Sequence, residues 1–175
     1  MALMLCTADA MARSPLSREE ALALAYPGAT ITAARLFLTT QQMADVAARA
    51  GTAVATPLVA RYTARKAGAE IGRAYIDTHT VRTKKESLLV SLDAARAVTR
   101  VDVVAFLEPP EYEAPSAFLR QFSGRPLTDD LRLQRAIRPI AGASLTAHAV
   151  TDAVRRVLAI DAVLTAGVPP REDRP

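Results

Sequence analysis

The 175-residue sequence contains no tryptophan, a single cysteine, two histidines and seven glycines. The lone Cys6 excludes an intramolecular disulfide, a thiolate zinc cage and an iron–sulfur ligand set. No Cys-x-x-Cys-His occurs, which removes covalent c-type haem. His79 and His148 alone assemble no metal-binding set by spacing. Aromatic residues make up 5% of the chain, so a core has to be built from Ala, Val, Leu and Ile. No apolar run reaches the roughly 18 residues of a membrane-spanning helix. A Gly-x-Ser-x-Gly elbow, a P-loop and paired catalytic carboxylates on a recognisable frame are missing, which argues against a hydrolase. The Gly-x-Gly-x-x-Gly of a dinucleotide fold is missing too.

Lysine is also scarce. Of 22 basic residues only Lys66, Lys84 and Lys85 are lysines, and the formal net charge is +4. The arginines run from Arg13 to Arg174, usually near an Asp or Glu, in a chain equally rich in alanine. A nucleic-acid surface gathers its cations on one face with stacking aromatics between them, so no nucleic-acid partner is expected.

Half the residues are hydrophobic, which excludes a disordered tail or solvating linker. The length suits one domain, at roughly 100–200 residues each, and residues 13–168 are assigned to it. Residues 169–175 form a charged tail. Within residues 1–12, Ala10-Met-Ala12 fits the small-x-small pattern of a signal-peptidase site. The apolar stretch before it is short and lacks a basic start. Two readings stand: the remnant of an export signal that begins upstream, and the terminus of a cytoplasmic protein. Leu3-Met-Leu-Cys6 is similar to a lipoprotein box, but Leu5 is too large for the residue before an acylated cysteine.

Ser17-Arg-Glu-Glu20 is a capping box that starts a helix over 18–25, stopped by Pro27-Gly28. Thr39 or Thr40 caps a second helix over 41–50, ended by Gly51. The period then changes. Residues 57–64, 70–78, 86–93 and 98–107 read as strands, with turn signals at Lys66-Ala-Gly68 and Asp93-Ala-Ala-Arg96. Connections this short leave no room for crossover helices, so the strands form an antiparallel meander. Pro115 suits the first turn of a helix reaching Phe122, and 129–134 reads as a short helical turn or extended connection. The last helix is predicted over 146–164, with Val150, Val154, Val157, Leu158 and Val163 near one stripe. The fold class is α+β: an antiparallel sheet of about four or more strands flanked by N- and C-terminal helices.

The stretch from Ile140 to Arg155 carries the chemistry. Ala141, Gly142 and Ala143 are small enough to let a ligand approach the backbone, and Ser144 and Thr146 follow just before a helix. Free N–H groups and the positive end of the dipole at a helix start suit a phosphate. The same residues also suit an ordinary small-residue turn with Ser144 or Thr146 as N-cap.

Gly142-Ala-Ser-Leu-Thr146 with Ala149-Val-Thr-Asp-Ala-Val-Arg155 resembles the signature of the FMN-binding domain family. That family includes the flavin-carrying C subunit of the sodium-pumping NADH:quinone reductase and the G subunit of the Rnf complex. The similarity extends upstream through Gly72–Thr83, Leu88–Asp93, Val101–Leu107, Glu108-Pro-Pro-Glu-Tyr112 and Phe118–Gly124, and covers roughly residues 57–160. The resemblance implies FMN joined by a phosphoester to Ser144, which stands at the family's acceptor threonine. It implies Gly142, Ala143 and Leu145 along the phosphate and ribityl chain, and Thr146 at the helix cap. A flavin transferase using FAD and magnesium would make the bond; noncovalent FMN is the other form. The chain departs from the family pattern at Arg138, where an Asp is usual, and at Ala141, where a Ser or Thr precedes the glycine.

Arg82 and His79 fall in the turn after the second of these strands, where a cation near the flavin would stabilise its reduced anionic ring. A solvated hairpin tip is the other reading of the same residues. Glu108 and Tyr112 match the segment that packs near the isoalloxazine, or else form a Pro-rich turn with Tyr112 half buried. His148 reads as a surface or packing residue. The function implied is that of an electron carrier rather than an enzyme with its own substrate. It would work between redox partner proteins (cytochromes or membrane oxidoreductase subunits) at the periplasmic or extracytoplasmic face of the membrane. The alternative is a non-flavinylated binding or scaffold module of a redox complex.

Overall fold

The computed structural model describes residues 16–166. The export-signal segment, Cys6 and the charged tail lie outside the described residues. Helix α1 (Arg18–Ala25) begins at the expected capping box: the Ser17 hydroxyl accepts from the Glu20 N–H, and the Glu20 carboxylate accepts from the Ser17 N–H. Strand β1 (Thr30–Phe37) follows, then helix α2 (Thr40–Ala50). A second capping box, Thr39 with Gln42, opens α2, and Gly51 closes it in the left-handed region at φ 70°. The remaining strands are β2 (Leu58–Lys66), β3 (Ala69–Thr80), β4 (Lys85–Asp93) and β5 (Val98–Phe106).

The five strands pair in sequence order, every neighbour antiparallel. The α+β class is as the sequence predicts, with one strand more than the four identified there. The β2–β3 hairpin turns on Ala67 and Gly68, both at positive φ (50° and 81°), which matches the right-handed twist of the strands it joins. Asp93 closes the β4–β5 turn by accepting from the Ala97 N–H at 2.9 Å.

After β5 the chain is mostly irregular. Pro115 is the N-cap of a four-residue helix α3 (Ser116–Leu119) rather than a residue of its first turn, and a 3-10 turn over 120–122 completes the segment. Residues 129–134 contain no helix. The last helix, α4 (Ser144–Thr165), starts two residues before the predicted position.

The sheet has two unlike faces. On one, α4 with α2 packed against it covers β3 and β4, the 116–122 segment covers β5, and together they bury Tyr75, Leu88, Val90, Leu92, Val101 and Val103. Val150, Val154, Val157 and Leu158 of α4 are each at most 3% exposed against this face. At roughly 1.5–3 kcal/mol per buried aliphatic side chain, that stripe is what holds α4 down. Val163, the stripe's last residue, is only partly buried. Among the described residues the opposite face carries α1 alone, which covers β4 and β5 and buries Leu22 and Tyr26 with Ala74 and Leu89.

Candidate functional site

Four predicted residues meet at one end of the sheet. The Glu108 carboxylate accepts from the backbone N–H groups of Arg82 (3.1 Å), Thr83 (2.7 Å) and Lys84 (2.7 Å). Those backbone donors, Thr83 and Lys84 foremost, hold its carboxyl below the ordinary carboxylate range. The turn so fixed sets the Arg82 guanidinium over the Tyr112 ring, 4.8 Å from its centroid. Tyr112 closes the 3-10 turn over 110–112, and its carbonyl accepts from the Thr146 hydroxyl at 2.6 Å. Thr146 is therefore not the helix cap. The N-cap is Ala143, whose side chain cannot accept, so the first N–H groups of α4 have no side-chain cap.

Ser144 is exposed as the first residue of α4. Leu145 beside it is 51% exposed. Gly142 sits at φ 78° with open space around the position of a β-carbon. His148 is exposed, one turn into the helix. This end offers an accessible hydroxyl, uncapped helix N–H groups and a guanidinium held in place over a tyrosine.

His79 is not part of it. Strand β3 runs on to Thr80, so His79 faces α4 inside the sheet rather than sitting at the turn. Its Nδ1 meets Asp77 at 2.9 Å and its Nε2 meets Glu86 at 3.0 Å. Burial opposes the imidazolium, but the hydrogen bonds to the two carboxylates outweigh it and the pKa is pushed up to about 9. Asp77 also receives two bonds of 2.7 Å from the Arg156 guanidinium on α4. Burial would raise the Asp77 carboxyl, yet His79 and Arg156 bring it below its ordinary value. Glu113 faces Glu86, and burial together with that negative neighbour raises its carboxyl.

Two residues back along β3, the pattern repeats. Asp161 of α4, fully buried, accepts from Arg73 (Nε at 2.5 Å, Nη2 at 3.1 Å) and from the Tyr75 hydroxyl at 2.8 Å. Arg73 also pairs with Glu70. The alternation Arg73, Tyr75, Asp77, His79 along the core-facing side of β3 is thus a polar seam against α4. Period-2 spacing in the sequence contains this signal, but with no partner strand or helix in view these residues look like a solvated face.

Nothing in the sequence marks the role of Arg155. It is 1% exposed and has no carboxylate partner among the described residues. Its guanidinium donates instead to backbone carbonyls of Ala50 and Thr128 (both 2.7 Å), Leu131 (3.2 Å) and Arg49 (3.4 Å). A cation at the last carbonyls of α2 also meets the negative end of that helix dipole.

The described surface has hollows at several places, three of which bear on the site. A cleft of about 630 Å³ lies between α1 and the β1–β2 surface. A hollow of about 240 Å³ sets Asp77, His79, Lys85 and Arg156 among apolar residues such as Leu58, Val59 and Ile160. A third, of about 430 Å³, lies between α1, β5 and the α3 segment. None of the three is lined by Gly142–Thr146 or Arg82. Among the described residues no group of His, Cys, Asp and Glu is arranged to hold a metal ion, and no helix is long and apolar enough to cross a membrane. No protein-family model, curated protein or solved structure matches the chain.

Proposed function

We propose that the chain is an FMN-carrying electron-transfer protein, with the flavin attached at the N-terminus of α4. The observation that carries this reading is the juxtaposition of exposed Ser144, the uncapped N–H groups of α4 and Arg82 over Tyr112, tied together by the Thr146 to Tyr112 hydrogen bond. The residues fit the phosphate end of the cofactor: the Ser144 hydroxyl is accessible, and Gly142 and Ala143 leave the approach to the backbone free of side-chain bulk. In the attachment step the Ser144 oxygen forms a bond to the FMN phosphorus of FAD, the phosphoanhydride breaks, AMP leaves and the hydroxyl proton goes to solvent. A magnesium-dependent flavin transferase is the co-reactant. Bound FMN supplies one- and two-electron redox chemistry. The chain's own part is to hold the phosphate and to set a fixed positive charge beside it through Arg82. The partners would be redox proteins, cytochromes or membrane oxidoreductase subunits, at an extracytoplasmic membrane face.

A second reading, a flavin-free binding module of the same fold, has its own support. The Thr146 hydroxyl is engaged by Tyr112, and Arg138 stands where the attachment motif carries an acid. Co-expression with a flavin transferase separates the two. Under the flavin reading the intact mass rises by FMN less water, peptide mapping places the adduct on Ser144, and Ser144→Ala abolishes it. Yellow protein with no adduct means noncovalent FMN. Colourless, unmodified wild-type protein overturns the flavin reading and leaves the binding module.

A further inference from the structure

Helix α1 covers only part of its face of the sheet. Its main contacts fall on β4 and β5, it meets β2 only at side chains such as Tyr62 and Ala64, and the step beside β1 and β2 is the cleft of about 630 Å³. Cavities of roughly 300–1,000 Å³ are the size that takes in a small organic ligand. The lining is mostly apolar. Leu22 and Tyr26 come from α1, Ile31 and Ala33 from β1, Ala60 and Tyr62 from β2. Tyr26 offers the cleft only its ring, because its hydroxyl is taken up by the backbone of Arg73 and Leu92 at 2.6–3.1 Å.

Charge is confined to one end. Arg18 opens α1, and Arg35 lies on β1 on the same face as Ala33 and two residues past it, so both guanidiniums stand at the mouth. Leu22, Tyr26 and Ile31 lie away from it, toward the end of α1 and the start of β1. Arg18 spends part of its charge on Glu19 and leans over the Tyr62 ring at 5.7 Å. Arg35 is exposed and makes no hydrogen bond or ion pair among the described residues. Two cations against one carboxylate leave the mouth one positive charge in excess.

We infer that this cleft binds a small amphipathic monoanion, an alkyl or aryl carboxylate. Its apolar body would lie between Leu22, Tyr26 and Ile31, and its carboxylate between Arg18 and Arg35. Burying the body removes the ligand's apolar surface and that of the open β1–β2 face from water together. The carboxylate pairs with the one guanidinium at the mouth that has no partner, and a planar fork suits it. A cationic or neutral amphiphile of the same body lacks that contact. The cleft and α4 lie on opposite faces of the sheet, so this site is independent of Ser144.

The probe is 1-anilinonaphthalene-8-sulfonate, an apolar fluorophore with one anionic group, titrated into the full chain and displaced by decanoate or by decylamine. Saturable one-to-one binding is expected, with decanoate displacing the probe and decylamine failing to. Ala60→Trp should fill the floor and abolish binding, with Ala33→Trp as a second plug should the first not fold. Arg35→Glu should weaken decanoate by about tenfold while circular dichroism is unchanged. Four results overturn the inference: no saturable binding, binding that survives both plugs, equal displacement by decanoate and decylamine, or an Arg35→Glu protein that binds decanoate as tightly as the wild type. Self-association seen by sedimentation and blocked by the plugs would assign the cleft to a second copy of the chain, and overturn it as well.

Discussion

The ring of Tyr26 occupies the space that a β-carbon on Gly72 would need, with its Cε1 atom 2.6 Å from that position. The Leu92 carbonyl, which accepts from the Tyr26 hydroxyl, stands even closer. Here the glycine is required by contact and not by backbone angle, since Gly72 is not at positive φ. Gly72→Ala should therefore push Tyr26 off the strand and break its hydroxyl bonds to Arg73 and Leu92. Urea unfolding should show a loss of roughly 1–3 kcal/mol, the usual range for overpacking. Tyr26→Ala in the same background should recover little, because the Leu92 carbonyl still clashes.

Arg155 gives a second prediction. Replacing it with Met leaves the buried carbonyls of Ala50 and Leu131 without donors, and a loss of about 2–3 kcal/mol or more is expected in denaturant unfolding. Arg155→Lys keeps the charge but not the fork, and should recover less than half of that loss.

The Asp77–His79–Glu86 cluster makes stability depend on pH in a definite direction. The folded pKa of His79 is raised, so its contribution is fully present below about 6.5 and is lost as pH climbs to about 9. Asp77 behaves oppositely: its carboxyl is lowered, and its contribution fades on acidification. The unfolding free energy of the wild type from urea denaturation should fall between pH 6.5 and pH 9 by an amount on the order of 1–3 kcal/mol. His79→Gln should be less stable at pH 6 and should lose that slope. An equal slope in both proteins would place the titrating group elsewhere.

Glu108 is the anchor of the β3–β4 turn. In Glu108→Ala the amides of Arg82, Thr83 and Lys84 lose their shared acceptor, and hydrogen exchange at these three should speed up while exchange in β3 and β4 stays slow.

If FMN is attached at Ser144, a fixed guanidinium near it favours the reduced anionic form. At an exposed site the attraction is about 1 kcal/mol, or tens of millivolts for one electron. Arg82→Ala should lower the midpoint potential without removing the adduct, and high salt should shrink the difference between the two proteins.

Local signals in the chain were sufficient for α1 and α2, because a capping box and a left-handed glycine are complete within a few residues. Strand β1 was missed for the opposite reason. Its Thr-Ile-Thr-Ala-Ala-Arg-Leu-Phe has little apolar alternation, since it is an edge strand whose residues are mostly exposed or half-buried, and its pairing with β2 spans an intervening helix. Thr146 looked like a cap because hydroxyls favour helix starts; in the fold its hydroxyl finds a non-local carbonyl at Tyr112 instead. His79 and Arg82 look alike in sequence, three residues apart, and only the register of β3 against β4 sends one into the interior and leaves the other on the turn. The pairing of Arg155 with four carbonyls has no sequence signature at all, because every partner is a backbone atom.

The polar seam between β3 and α4 also fixes where the helix can stop. Hydrophobic stripes tolerate sliding, since one valine fits another's hollow well enough. Charges do not. Moving α4 by one turn, about 5.4 Å, in one direction would bring Asp152 to the place of Arg156, opposite Asp77, and Val157 to the place of Asp161, beside Arg73. In the other direction Ile160 would face Asp77 and Thr165 would face Arg73. Either slip leaves a buried carboxylate without its cation, so the helix has one depth of insertion, keyed like a lock at two heights.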